Sequence, residues 1–227
     1  MIETASHFRP DLLLPASAAR LLPARSGENR YGENVAEAAY LANARVLAER
    51  SPPFGDDIAM IDAPWRGACE RSSAWRAFAP LQLDAHGRPQ PAADRFPSAL
   101  DGCGFAPLAA QIHRLGLRLG LHIVRGVPRQ AVALALPIAG STWHCHDVID
   151  PAAACAFDTD MCAVDPDHPG AFDWYRAWFA QLAACGVDVV RIDGTPSGHG
   201  SDVRELELIR RAMHATGRTM ELMLSPG

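Results

Sequence analysis

The stretch GVDVVRIDG, residues 186–194, decides the fold of this chain. It contains four β-branched residues, Val187, Val189, Val190 and Ile192. Such a run is typical of a short strand buried on both faces, as in parallel sheets covered by helices. Arg191 and Asp193 lie two residues apart and so on one face, and Gly194 ends the strand. Barrels of alternating strands and helices carry their chemistry at such strand ends, although an aspartate that caps the next loop is the alternative.

Three further segments have the pattern of buried strands, at residues 58–62, 117–123 and 218–224. An amphipathic helix precedes each of the last three strands, and each helix ends at a glycine, namely Gly116, Gly186 and Gly217. Long loops follow the strands. Short junctions before strands and long loops after them are typical of a barrel whose strand ends share one face. We find four clear strands and a degraded first one, so we predict a partial (β/α)8 TIM barrel of roughly five β/α units.

Composition excludes several classes of protein. Of 227 residues, 48% are hydrophobic, which is enough for one sizeable core. The net charge of −5 argues against a nucleic-acid surface, and the apolar runs are too short to span a membrane. Six cysteines without a CxxC pair favour free thiols, and no secretory signal is recognisable, so we predict a cytoplasmic protein. We expect an irregular segment over residues 1–32 and the barrel portion over residues 33–227.

Three segments resemble glycoside hydrolase family 27, the melibiase or α-galactosidase family, and in particular its bacterial branch. Residues 86–132 contain RFPS and RLGLRLGLHI, which are similar to the family's RFPS and "HSLGLKFGIHI" motifs. Residues 157–194 end in CGVDVVRIDG, which resembles "WGVDFVKVD". Residues 218–227, RTMELMLSPG, are similar to the fifth strand, "PIVLSLSPG". The motifs occur in the family's order.

The resemblance implies a (β/α)8 barrel and hydrolysis of O-glycosidic bonds by a retaining α-glycosidase of α-galactosidase type. The family's nucleophile, the aspartate that ends the fourth strand, matches Asp193. The basic residue that contacts sugar hydroxyls matches Arg191, where galactosidases usually have lysine. The pair of aspartates that holds sugar hydroxyls after the second strand matches Asp62 and Ala63, so one of the two is absent.

Further substrate-binding residues are expected near the same strand ends. A family tryptophan matches Trp65, which could stack on a sugar face or simply be buried in its loop. The family's aromatic residue at the end of the third strand falls at His122. We expect His122 and Arg125 to face the substrate pocket, with loop anchoring as the alternative. The expected ligand is a small-molecule or oligosaccharide substrate, and the resemblance implies no metal and no cofactor.

Two departures from the family leave other interpretations open. The family's GWNSWD motif falls on ARSGEN at residues 24–29, and the general acid/base follows the fifth strand, so we expect a truncation before it. A catalytically inactive sugar-binding remnant is therefore the main alternative. A metal-dependent hydrolase that uses His144 and His146 is a weaker one. Because later β/α units would cover apolar surface, we also expect self-association through the uncovered part of the barrel.

Overall fold

The computed structural model describes residues 36–50, 57–67, 80–154, 160–195 and 200–226. Its strands are β1 (Ile58–Ile61), β2 (Arg118–Val124), β3 (Val127–Pro128), β4 (Ile149–Ala154), β5 (Met161–Val164), β6 (Val189–Thr195) and β7 (Glu221–Pro226). Its α-helices are α1 (Glu37–Arg50), α2 (Ala106–Arg114), α3 (Arg129–Ala133), α4 (Ala171–Ala184) and α5 (Gly200–Ala215). The predicted irregular segment, residues 1–32, lies outside the described residues.

A parallel sheet in the order β1-β2-β6-β7 forms the centre of the fold. Its four strands match the four that the sequence predicts, with boundaries displaced by one to three residues. Within the described ranges these strands do not close on themselves, which confirms the prediction of a partial barrel. The carboxyl ends of all four strands point the same way, so the loops that follow them meet at one end of the sheet.

The core lies between this sheet and its helices. The strands β2 and β6 contribute aliphatic side chains that are almost fully buried. The helix α4 adds four buried aromatic residues, Trp174, Tyr175, Trp178 and Phe179. The glycine-ended junctions have the predicted form: Gly186 has φ +83°, and an added Cβ would lie 3.1 Å from the Cβ of Ala109. A side chain at residue 186 would therefore be strained and crowded where α4 turns into β6.

The buried face of α5 differs from the predicted one. The spacing of apolar residues on this helix predicts a buried stripe of Val203, Leu206, Ile209 and Met213. Ile209 and Met213 are buried as predicted, but Val203 is 67% exposed. Glu205, Leu208 and Ala212 are buried as well and share helical spacing with Ile209. The prediction was wrong for Val203 because it followed apolar residues alone, whereas the buried face of this helix includes a carboxylate.

The long loops after β1 and β2 contain more structure than predicted. Within residues 124–168 a small antiparallel sheet forms in the order β3-β5-β4, next to the short helix α3. The described part of residues 63–103 contains two 3-10 helices, Ala63–Arg66 and Pro97–Gly102. The strand β3 has only two residues and β4 contains Pro151, so neither has an alternating pattern long enough to indicate a strand.

The described ranges bear on two predictions, the absence of a membrane span and the presence of free thiols. None of the helices there has the length and apolarity required to cross a bilayer. The cysteines in these ranges, Cys103, Cys145, Cys162 and Cys185, are all free thiols.

The amino end of the sheet is held by a network of charged groups around Asp188. One oxygen of its carboxylate accepts hydrogen bonds from Nε2 of His113 at 2.7 Å and from the backbone N–H of Leu119 at 2.8 Å. The other oxygen accepts from Arg218 at 2.5 Å. Partial burial works to raise the pKa of Asp188, but these three hydrogen bonds outweigh it and hold the pKa below its ordinary value. The network joins α2, β2, β6 and the start of β7.

We predict that Asp188→Asn lowers the free energy of unfolding by about 1–3 kcal/mol at pH 7, because an amide satisfies the three donors poorly. The pKa of Asp188 is lower in the folded chain, so its stabilisation is fully present above the unfolded pKa of about 3.9 and is lost progressively as the pH falls from that value through the lower folded pKa. Urea unfolding at pH 7 and at pH 3 measures both effects. Asp167→Asn, in an exposed pair with Arg204, is the control and should change stability by less than about 0.5 kcal/mol. Equal stabilities of the Asp188 variant and the parent at pH 7 would contradict the prediction.

Candidate active site

The residues predicted to bind substrate lie at the carboxyl end of the parallel sheet. His122 of β2 is in register with Arg191 of β6. Asp62 follows the last residue of β1, whose partner on β2 is Leu121, so Asp62 lies level with His122. The three residues therefore form one row across neighbouring strands.

A second row lies two residues closer to the ends of the strands. It consists of Val124 on β2, Asp193 on β6 and Ser225 on β7. The backbone of the candidate nucleophile, Asp193, thus lies between two neighbouring strands and beyond the row that contains Arg191. Asp62, His122, Asp193 and Ser225 therefore come to the same end of the sheet.

Asp62 and His122 form a direct hydrogen bond. Nδ1 of His122 bonds to a carboxylate oxygen of Asp62, and since that oxygen accepts, the imidazole donates from Nδ1. The imidazole is buried, whereas the carboxylate of Asp62 is about one-third exposed. A buried ring that holds one side of a carboxylate fixes its orientation. Asp62 is therefore presented to solvent at the end of β1 in a defined direction, as a group that binds sugar hydroxyls would have to be.

Trp65 lies in the core. Its burial argues against stacking on a sugar and favours the alternative that it is simply buried. Trp65 is only 1% exposed, and its ring packs edge-on against the ring of Phe105, with 5.2 Å between the two ring centroids. The indole N–H donates to the backbone carbonyl of His122 at 2.8 Å. A fully buried ring has no free face for a ligand. Instead, Trp65 joins the 3-10 helix after β1 to the backbone of β2 at the residue that orients Asp62.

Arg125 is engaged in an ion pair at the end of β2. Its guanidinium pairs with the buried carboxylate of Glu205 on α5. That carboxylate also accepts a hydrogen bond from the hydroxyl of Tyr175 on α4. These contacts favour the loop-anchoring alternative for Arg125, and its assignment to substrate binding stays a prediction. Sequence reasoning missed Glu205 and Tyr175, although a glutamate at helical spacing from Leu208 and Ile209 is a signal of a buried charge.

The histidines considered for metal binding do not assemble a ligand set. The rings of His144 and His146 lie 5.7 Å apart and are about half exposed. Both are near the carboxylate of Asp147, at 3.7 Å and 3.2 Å. In the part of the chain that the structure describes, no three histidine, cysteine or acidic side chains are arranged to hold a metal ion. Cys155, Asp158 and Asp160 follow these histidines in the sequence and could add a third ligand, but Cys155 and Asp158 lie outside that part.

The parallel sheet and its helices, which do not close within the described residues, define a partial β/α barrel. No protein-family model matches the chain. Among solved structures it is similar to a family 27 β-L-arabinopyranosidase variant from Geobacillus stearothermophilus in complex with arabinose, with 40% identity and a TM-score of 0.83. It is also similar to a protein of Bacillus halodurans proposed to be an α-N-acetylgalactosaminidase, with 41% identity and a TM-score of 0.79. Each match covers 87% of this chain and 46% of the other.

A curated relative agrees with these structures. Alpha-galactosidase 3 of Hypocrea jecorina is 28% identical over 166 residues, which cover 69% of this chain and 24% of that protein. The resemblance to glycoside hydrolase family 27 is confirmed by these comparisons. The chain thus spans less than half the length of the relatives it matches.

We predict that Trp65→Phe lowers the free energy of unfolding by about 1–3 kcal/mol, because the carbonyl of His122 loses its donor inside the core. Chemical denaturation measures this loss. Trp143→Phe serves as the control, since Trp143 is only partly buried, and should be less costly. If the two substitutions cost the same, the hydrogen bond to His122 does not stabilise this end of the sheet.

Proposed function

We propose that residues 33–227 form a portion of a glycosidase catalytic barrel and carry the nucleophile of a retaining mechanism at Asp193. The observation that supports this most is the register of the sheet. Asp193 lies near the carboxyl end of β6, at the same end of the sheet as the Asp62–His122 pair and two residues beyond Arg191. The similarity to family 27 glycosidases supports the same chemistry.

Each residue of the site has a role in the proposed reaction. Asp193 attacks the anomeric carbon, and the bond to the leaving oxygen breaks as a glycosyl ester forms. Arg191, a cation on the same strand, favours the ionised form of a nearby carboxylate. Asp62 accepts hydrogen bonds from sugar hydroxyls, and His122 fixes its direction. A retaining enzyme also needs a second carboxyl group about 5–5.5 Å from the first to protonate the leaving group, and we assign that role to no residue of this chain.

The sugar is of the galactose type, in one of two forms. The α-galactosidase resemblance favours an α-D-galactoside. A β-L-arabinopyranoside is the second candidate, because that sugar is an α-D-galactopyranoside without the hydroxymethyl group at C5. One of the family's two hydroxyl-binding aspartates is replaced by Ala63, and a site with one acceptor fewer suits a sugar with one hydroxyl fewer. The similar Geobacillus enzyme is a β-L-arabinopyranosidase.

We predict that the chain releases dinitrophenol slowly from an activated α-D-galactoside or β-L-arabinopyranoside. Such a leaving group departs without protonation, so it avoids the factor of about 10²–10⁴ that general acid catalysis supplies. Natural glycosides such as melibiose should show no turnover. Mass spectrometry of the chain after reaction with a slowly hydrolysed fluoro-sugar should locate the adduct on Asp193.

Asp193→Ala is the matched test, and it should abolish both release and labelling. Added azide should restore release in this variant, because the small anion can attack the anomeric carbon from the vacated side and yield the glycosyl azide of inverted configuration. Release that survives in Asp193→Ala without azide would show that the nucleophile is misplaced. Sugar binding without any labelling of the parent chain would favour the inactive sugar-binding alternative.

We also propose that the chain associates with a second copy of itself through β7. This strand lies at the edge of the sheet that the described residues form. Leu222 and Met223 are only partly buried and Leu224 is 48% exposed, whereas β2 and β6 are almost fully buried. An edge strand with exposed apolar side chains pairs readily with another chain.

We predict that sedimentation velocity shows concentration-dependent association of the parent chain. Leu224→Lys should reduce it, because a charge on an edge strand opposes pairing. Val46→Lys on α1, where Val46 is also exposed, is the control and should have no effect. A monomer at every concentration would rule out this interface.

A further inference from the structure

A buried carboxylate lies next to the candidate site without being assigned any part in it. Glu205 is 2% exposed, and both of its oxygens are used. One pairs with the guanidinium of Arg125, and the other accepts from the hydroxyl of Tyr175. Burial, and after it the charge of Glu205, raises the pKa of Tyr175 well above its ordinary value. The phenol is therefore neutral, and its hydroxyl donates a hydrogen bond to Glu205.

The same tyrosine also holds the backbone after β2. The backbone N–H of Gly126 donates to the hydroxyl of Tyr175 at 3.0 Å. The indole of the preceding residue on α4, Trp174, donates to the carbonyl of Gly126 at 3.0 Å. Gly126 has φ +105°, and an added Cβ would lie 2.3 Å from the carbonyl oxygen of Cys162. Residue 126 is thus fixed on all sides, and only glycine fits there.

This arrangement acts on the strand pair that carries the candidate nucleophile. Arg125 directly follows Val124, the register partner of Asp193 on β6. Glu205 is on α5, which begins at Gly200, five residues after the end of β6. The pair of Arg125 and Glu205 therefore ties the segment that leaves β2 to the helix that follows β6.

A buried ion pair is a costly way to stabilise a fold. Desolvation of both charges offsets most of their attraction, and apolar residues of similar size often serve as well or better. What a buried pair supplies instead is direction, since a guanidinium and a carboxylate fit together in few geometries. The pair of Arg125 and Glu205 lies directly after Val124 of the second row, so the geometry that it fixes is that of the backbone beside Asp193.

We propose that Glu205 is a positioning residue of the glycosidase site, which acts through Arg125 and Tyr175 to fix the end of β2 against Asp193. This inference rests on the proposed function. It assigns no contact between Glu205 and substrate. We expect the rate of attack by Asp193 to depend on the cluster of Arg125, Tyr175 and Glu205 more strongly than the contribution of that cluster to stability explains.

The test compares four variants of the 227-residue chain. Glu205→Gln removes the charge, and Tyr175→Phe keeps the ion pair but removes the acceptor of the Gly126 N–H. The double variant Arg125→Met with Glu205→Gln removes both charges. Glu207→Gln is the control on the same helix, because Glu207 pairs with Arg210 at the surface. For each we measure the melting temperature, hydrogen exchange of the Gly126 amide by NMR, and the limiting rate and half-saturation concentration of dinitrophenyl galactoside cleavage.

We expect Glu205→Gln to reduce the limiting rate on the order of 10²-fold, as misplacement of reacting groups by about 1 Å does, with a smaller change in half-saturation. The double variant should recover the melting temperature but not the rate. Tyr175→Phe should stay folded and show faster exchange at Gly126, and Glu207→Gln should behave as the parent. An unchanged rate in Glu205→Gln, or a rate that recovers together with the melting temperature in the double variant, would overturn the proposal.

A parent chain without any cleavage would instead overturn the proposed function. The exchange of Gly126 then still decides whether Glu205 and Tyr175 fix the end of β2. Unchanged exchange in both Glu205→Gln and Tyr175→Phe would show that they do not.

Discussion

The in-register parallel pairing of β2 with β6 is the constraint on which the rest of the structure depends. The aliphatic residues of both strands are buried, and the core between sheet and helices is built on them. Their pairing sets His122 level with Arg191 and Val124 level with Asp193. A displacement of one residue would move every side chain of one strand to the opposite face. Core packing therefore also fixes the relative positions of the candidate catalytic groups.

The two ends of this sheet carry different kinds of polar groups. At the amino end, the carboxylate of Asp188 accepts hydrogen bonds from three donors, and Arg118 bonds to both Asp57 and Glu221. These groups satisfy one another and tie neighbouring elements together. At the carboxyl end, Asp62 is held from one side by a buried histidine and remains partly exposed. In β/α barrels generally, the amino end of the sheet serves stability and the carboxyl end carries the binding and catalytic groups, and we propose the same division for this chain.

Much of the fold could be predicted from the sequence because its signals are local. Strands such as residues 187–193 are short β-branched runs, and glycines such as Gly186 mark the junctions before them. The small antiparallel sheet could not be predicted, since its strands are held by pairing across the chain and not by a pattern of their own. The buried face of α5 was predicted only in part for a related reason: Glu205 is buried because Arg125 and Tyr175, far away in sequence, satisfy its charge.

The candidate site was predictable in outline only. Asp62 and His122 could be placed at one end of the sheet from strand order, but their hydrogen bond follows from the register of β1 and β2. Trp65 shows the limit most clearly. Its position near the strand end was predicted, while its role depends on which way the ring turns, and the core around Phe105 decides that.

The central claim is that the carboxyl end of the β1-β2-β6-β7 sheet binds a galactose-type sugar. A titration of the ¹⁵N-labelled chain with D-galactose and with L-arabinose, followed by backbone amide NMR, tests it most directly. The account predicts shifts that cluster at residues after the strands, around Asp62, His122 and Asp193. Shifts confined to the opposite end, around Asp57, Asp188 and Glu221, or none at saturating sugar, would contradict it.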